Sequence, residues 1–146
     1  MGSCCGILIS RIYFAGYERQ SLSIEPGDLW KSVLLETLGS FILVFMYLCS
    51  TEEKTKFTKD SVVQTMILSS SYLAAMLLAG SKVNLHVSPL NPAIGIVYNI
   101  LYKSDAKGWA SIWVFGGFGF LGSFSALIFF KFIYRKTQET LEEIES

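Results

Sequence analysis

Residues 30–50 read WKSVLLETLGSFILVFMYLCS, and their only formal charges are Lys31 and Glu36. A helix needs about 20 apolar residues to cross the hydrocarbon core of a bilayer. Lys31 lies at the edge of the run, where its side chain can extend toward the headgroups, so Glu36 is the charge that remains inside. The stretch therefore predicts a membrane-spanning helix with one acidic residue among apolar neighbours.

Two more runs of this kind follow along the chain. Residues 62–80 carry no charge, and residues 109–134 carry none as far as Phe130. Aromatic residues that favour the boundary between lipid and water lie at or near the ends of the three runs: Trp30, Trp109, Trp113 and Tyr134. The hydrophobic fraction of 51% agrees, and a soluble bundle would need a broader polar stripe than residues 62–80 supply. We therefore predict an all-α membrane protein with three spans.

The segment between the second and third spans predicts a short helix at residues 91–102. Asn91 is a favoured N-cap, and Pro92 suits the first helical position because the N–H that it lacks would have no partner there. The apolar part of this helix is much too short to cross a bilayer. Non-helical backbone at membrane depth is tolerated only where protein or a hydrated cavity surrounds it, so we expect a re-entrant half-helix.

Small residues crowd the middle of the third span. Gly119 and Ser123 have the spacing that lets helix backbones approach closely, and Gly122 lies between them. The third span is therefore expected to have a close neighbour, which is either the half-helix of the same chain or a helix of another subunit.

The ends of the chain are expected to lie outside the spans. Residues 1–29 form an interfacial or extramembrane segment, in which Pro26-Gly27 interrupts any helix before the first span. Gly2 with Cys4-Cys5 suggests acylation, although Gly6 stands where a myristoylation motif has Ser or Thr. Residues 135–146 are rich in glutamate and form an acidic, solvated tail.

Several classes of function are disfavoured by composition. Twelve basic and twelve acidic residues give no net charge, so we expect no nucleic-acid partner. Three cysteines and a single histidine, without metal-ligand spacing, argue against a metal site or a disulfide framework. No paired carboxylates, activated nucleophile or phosphate-binding glycine loop stands out, so neither catalysis nor a cofactor is expected.

The order of these features resembles the repeat unit of the aquaporins, the major intrinsic protein family. The resemblance covers about residues 32–134 and rests on a first span containing Glu36-Thr37-Leu38-Gly39-Ser40, a second span, Asn91-Pro92-Ala93 opening a half-helix, and a third span. In that family two inverted repeats bring their half-helices together at mid-membrane, where each asparagine amide donates to water passing in single file. The resemblance gives Asn91 this role, and plain capping of the half-helix is the alternative.

The resemblance also assigns Glu36 and Ile94. Glu36 matches a buried glutamate that braces the re-entrant loop by accepting hydrogen bonds from its backbone, the alternative being a position near the headgroups. Ile94 stands at the filter position, where channels of the family carry an arginine after the second tripeptide. The glycine usual before the tripeptide is missing, and His86 is expected to be an ordinary polar residue of the loop.

Which half the chain represents stays open at this point. Glu36 and Ile94 suit the first repeat, whereas residues 113–134 are closer to the last helix of the second repeat. Basic residues divide six against six between the two sides of the membrane, so charge does not set the orientation.

One repeat supplies only part of a pore wall. We therefore expect a degenerate half-aquaporin that serves as a structural or accessory subunit of a membrane assembly, in contact with the bilayer and other subunits. The alternative is a channel for water or a small neutral solute, formed with a second copy. The weakly basic amino terminus makes the mitochondrial inner membrane one candidate location.

Overall fold

The computed structural model describes residues 2–13, 24–53, 55–83, 88–101 and 111–145. Within these ranges the ordered elements are helical, apart from a single bridge between Ile24 and Val83. The main helices are α1 (Gly2–Tyr13), α2 (Leu29–Thr51), α3 (Ser61–Gly80), α4 (Pro92–Leu101) and α5 (111–145). Three helices are long and apolar enough to cross a membrane, namely α2, α3 and the Ser111–Leu141 part of α5. The prediction of an all-α membrane protein is confirmed.

The first two spans begin and end within a residue of the predicted bounds. A short 3-10 turn at Pro26–Asp28 leads into α2, and Glu52 adopts an extended conformation immediately after it. At the start of α3 the side chain of Asp60 accepts a hydrogen bond from the Val62 amide at 2.8 Å. This cap satisfies one of the amides that a helix leaves unpaired at its amino end.

The third helix extends beyond its predicted end at residue 134. It contains two π-helical stretches, Val114–Phe118 and Phe130–Tyr134, and continues in α-helical form through Arg135–Glu145. The acidic tail at 135–146 is therefore largely helical. No glycine or proline follows Tyr134, and an ion pair of 3.1 Å between Arg135 and Glu139 links neighbouring turns. The predicted start at residue 109 lies outside the described residues.

Helix α2, the first span in sequence, packs against both of the other spans. A Cβ atom added at Gly39 would lie 3.0 Å from the Ala75 carbonyl oxygen of α3. A Cβ atom added at Gly122 would overlap the Thr37 carbonyl oxygen of α2 and lie 3.0 Å from Ser40 Cβ. Glycine is thus required at Gly122, where a side chain would force the backbones apart, and at Gly39 a Cβ atom would be tighter than an ordinary contact.

The close neighbour of the third span is therefore α2, and among the described residues the half-helix contacts the third span near the amino end of α5. Gly122 makes the tightest approach, while a Cβ atom at Gly119 would lie 3.4 Å from Ser40 Oγ. Ser123 donates its hydroxyl to the Gly119 carbonyl at 2.8 Å, within its own helix. Gly119 thus lies at the contact with α2, and Gly122, between the two members of the predicted pair, makes the closest approach.

The amino-terminal segment adds structure that the sequence patterns did not predict. Residues 2–13 form α1, which packs against α4 and leaves Leu8, Ile9 and Ile12 exposed. Farther along, the Ile24 amide donates to Ser111 Oγ at 3.0 Å. A buried cluster joins the segment before α2 to the carboxyl end of α3 and the amino end of α5. Its members are Ile24, Val83, Val114 and Phe115.

Candidate functional site

The amino end of α4 presents the tripeptide. Asn91 Oδ1 accepts a hydrogen bond from the Ala93 amide at 3.0 Å, and the Asn91 carbonyl accepts one from the Gly95 amide at 3.0 Å. Pro92 occupies the first helical position. Asn91 therefore caps the helix, yet its side chain is exposed on the surface of the chain.

The loop before α4 reaches deep into the bundle. Leu90 Cδ2 lies 3.3 Å from the position that a Cβ atom would take on Gly39. Gly39 is roughly 15 Å along α2 from Leu29 at ~1.5 Å per residue. This distance from Leu29 to Gly39 is about half of the roughly 30 Å thickness of the hydrocarbon core. Because Asn91 follows Leu90 directly, the start of the half-helix lies near the middle of the span.

Leu90 adopts an unusual backbone conformation at this depth. Its φ of 45° lies in the left-handed region that favours glycine. A residue with a Cβ atom pays about 1–2 kcal/mol for that conformation. Leu90 is the residue immediately before Asn91, a part of the loop where the family resemblance implies a glycine. Packing of its side chain against α2 holds this strained turn in place.

Glu36 braces the same loop. Its side chain is only 1% exposed. Glu36 Oε2 accepts a hydrogen bond from Ser88 Oγ at 2.5 Å, and Ser88 Oγ in turn accepts one from the Leu90 amide at 3.2 Å. Among the described residues of the loop, the Ser88 hydroxyl thus relays the contact between Glu36 and the Leu90 amide. The Ser88 amide donates to the Met76 carbonyl at 3.2 Å, so the loop is also fixed to α3.

A polar line runs along the face of α2 that carries Glu36. Ser32 and Ser40, one turn before and one turn after it, are 1% and 3% exposed. Each of their hydroxyl oxygens, like Glu36 Oε1, is buried without a hydrogen-bond partner among the described residues. These groups give the interior around the loop a polar character.

Two glycines allow the half-helix to pack closely against the third span. A Cβ atom on Gly95 would lie 2.7 Å from Phe115 Cβ, and one on Gly116 would lie 3.4 Å from Ile96 Cδ1. These contacts fix α4 against the first turns of α5. Neither Gly95 nor Ser88 was singled out in the sequence, since their roles depend on contacts with distant segments.

The remaining predicted residues are placed as follows. Ile94, at the filter position, is 37% exposed in the first turn of α4 and presents an apolar side chain beside Asn91. His86 lies outside the described residues. Within the part of the chain that the structure describes, no three histidine, cysteine or acidic side chains are grouped as a metal site would require. Cys5 is exposed and Cys49 is buried, and both are free thiols.

Comparisons with known proteins agree with the resemblance at a coarse level. No family model matches the chain. The chain is similar to a protein described as "Probable aquaporin PIP2-8" from Oryza sativa subsp. japonica, with 27% identity over 142 residues. The match covers 92% of this chain and 50% of the rice protein, so the chain spans about half the length of the curated relative it matches. Together with the three apolar helices, this similarity identifies an integral membrane protein that resembles half of an aquaporin.

Proposed function

We propose that this chain is a degenerate half-aquaporin that acts as a structural or accessory subunit of a larger membrane assembly. The observation that carries the proposal is that Asn91 is exposed beside the middle of α2, which would place its carboxamide near the middle of the bilayer. Exposed polar groups and non-helical backbone at that depth need protein or water beside them, because lipid offers no hydrogen bonds. A companion subunit on the Asn91 side would supply this environment.

Two features favour an accessory role over conduction. The family resemblance implies an arginine at the filter position of a working channel, and Ile94 offers no charge or hydrogen bond there. Leu90 further places a strained, bulky residue directly before Asn91. The chain would then contribute helix packing and lipid contacts, and the mitochondrial inner membrane is one candidate location.

A second candidate is a channel for water or a small neutral solute, formed with a second copy of the chain. The cap uses the oxygen of the Asn91 side chain, which leaves the amide nitrogen to donate elsewhere. Donation from this nitrogen to passing water is the role that the resemblance implies. Similarity to an aquaporin also favours transport over catalysis.

Two experiments separate the candidates. Gentle solubilisation of the full chain from its native membrane, followed by mass spectrometry of the purified complex, should find other membrane proteins in fixed ratio. A chain that migrates alone or as a homodimer contradicts the accessory role.

Conduction is tested by osmotic shrinkage of proteoliposomes. Asn91→Asp serves as the control, because aspartate also caps helices and the fold should survive. The channel candidate requires permeability above that of protein-free vesicles and a loss of permeability in Asn91→Asp.

A further inference from the structure

The loop between α2 and α3 forms a cleft at the opposite end of the bundle from α4. The cleft has a volume of about 570 Å³ and is lined by Glu53, Lys56, Phe57, Thr58 and Lys59. Because α2 ends at Thr51 and α3 begins at Ser61, the loop lies where two spans leave the membrane. The cleft is therefore at the level of the lipid headgroups.

The loop is held in a defined shape. Thr55 is buried, and its amide and hydroxyl both donate to the Glu52 carbonyl, at 3.1 and 3.4 Å. Thr58 Oγ1 accepts from the Asp60 amide at 3.1 Å. The side chain of Gln64 donates to the Ser50 carbonyl at 2.5 Å and ties the two span ends together. A ligand would therefore meet a preformed cleft, which lowers the entropic cost of binding.

The acidic residues that flank the cleft already have partners. Glu52 pairs with Arg135 at 3.6 Å, and Asp60 caps α3. Among the described residues that line the cleft, Lys56 and Lys59 outnumber the one acidic residue, Glu53, so this lining has an excess of one positive charge. Such a site attracts a singly charged anion.

Phe57 distinguishes a lipid from a soluble anion. Its side chain is 50% exposed beside the two lysines, at the end of the spans. Aromatic side chains at this level insert between lipid chains and headgroups, and adjacent lysines bind phosphate. An anionic lipid satisfies both groups at once, whereas free phosphate would satisfy only the lysines.

We infer that this cleft binds the phosphate headgroup of an anionic glycerophospholipid, with Lys56 and Lys59 on the phosphate and Phe57 against the upper acyl chains. The site is independent of Asn91 and of the proposed function. It would fix the protein in a leaflet that contains such lipids, whether or not the chain has a companion subunit.

Native mass spectrometry of the full chain in mild detergent tests the inference, with phosphatidylglycerol, phosphatidylcholine and inorganic phosphate as separate probes. We expect saturable binding of one phosphatidylglycerol, and no comparable binding of the other two probes. Lys56→Gln together with Lys59→Gln should weaken that binding roughly 25-fold, from about fivefold for each lysine. Phe57→Ser should weaken it as well.

The matched controls are Lys131→Gln and Lys136→Gln made together, which remove the same charge from the same end of the bundle but lie outside the cleft. They should leave the affinity within about twofold. Equal losses in the two double variants, equal retention of phosphatidylcholine, or binding of inorganic phosphate as tight as that of the lipid would each overturn the inference.

Discussion

Gly122 is the position at which one added methyl group should do the most damage. Its hypothetical Cβ atom overlaps the Thr37 carbonyl oxygen and lies 3.0 Å from both Thr37 C and Ser40 Cβ. Two of these three atoms belong to the α2 backbone, so no side-chain rotation can relieve the clash. Gly122→Ala must therefore push α5 away from α2.

The size of the effect follows from the packing that is lost. A separation of about 1 Å forfeits a quarter to a half of the dispersion energy of each contact in the affected region. Overpacking of this kind typically costs about 1–3 kcal/mol, while alanine in place of glycine within a helix returns about 0.5–1 kcal/mol. The difference between the middles of these two ranges is a net destabilisation of about 1 kcal/mol.

The assay is equilibrium unfolding by sodium dodecyl sulfate titrated into mild detergent, followed by circular dichroism. Gly117→Ala, on the same helix, is the matched control, because a Cβ atom at Gly117 would meet nothing within 4 Å. The control should be neutral or slightly stabilising. Equal stability of Gly122→Ala and Gly117→Ala would refute the close crossing of α2 and α5.

Three other predictions concern the loop, the cap and the entry to α2. Ser88→Ala should cost about 1–3 kcal/mol in the same titration, because it removes the donor to Glu36 and leaves a buried carboxyl unpaired. Asn91→Ala should cost about 1 kcal/mol through loss of the cap, whereas Asn91→Asp should cost much less. The hydrogen bond from Lys31 holds the pKa of Asp28 below its ordinary value, so its contribution to stability should be present at neutral pH and fall as the pH drops through the folded-state pKa. Carboxyl carbon chemical shifts, followed by NMR, should show that Lys31→Gln raises that pKa.

Each of these has an outcome that would contradict it. Ser71→Ala removes a hydroxyl whose hydrogen bond lies within its own helix. If Ser71→Ala lowers stability as much as Ser88→Ala does, the hydrogen bond from Ser88 to Glu36 has no special importance for the loop. Equal stability of Asn91→Ala and Asn91→Asp would mean that the cap contributes nothing. An unchanged titration of Asp28 in Lys31→Gln would exclude the ion pair as the cause of the shift.

The spans could be predicted because they follow from a simple physical requirement. A helix in lipid must satisfy its own backbone and present about 20 apolar residues, and the charges at the edges of each run mark its ends. The start of α4 could also be predicted, since Asn91 and Pro92 are residues strongly favoured at the beginning of a helix. The end of α5 was not, because the charged residues from Arg135 onward mark the membrane boundary and not the end of the helix.

The contacts of the site depend on partners that are distant in sequence. Ser88 and Glu36 are 52 positions apart, and nothing near either residue identifies the other. Gly122 lies between the two residues that have the recognised packing spacing, so only the rotation of α5 against α2 shows which of the three makes the contact. The strain at Leu90 likewise could not be predicted without the backbone conformation of the loop.

The central claim is that the surface beside Asn91 faces protein or water and not lipid. A photoreactive benzoyl-phenylalanine in place of Ile94, which is 37% exposed, tests it in native membranes. The same group in place of Leu127, 47% exposed in the middle of α5, is the lipid-facing control. We predict a discrete protein adduct from position 94 and lipid adducts from position 127. Lipid adducts alone from both positions would contradict the account.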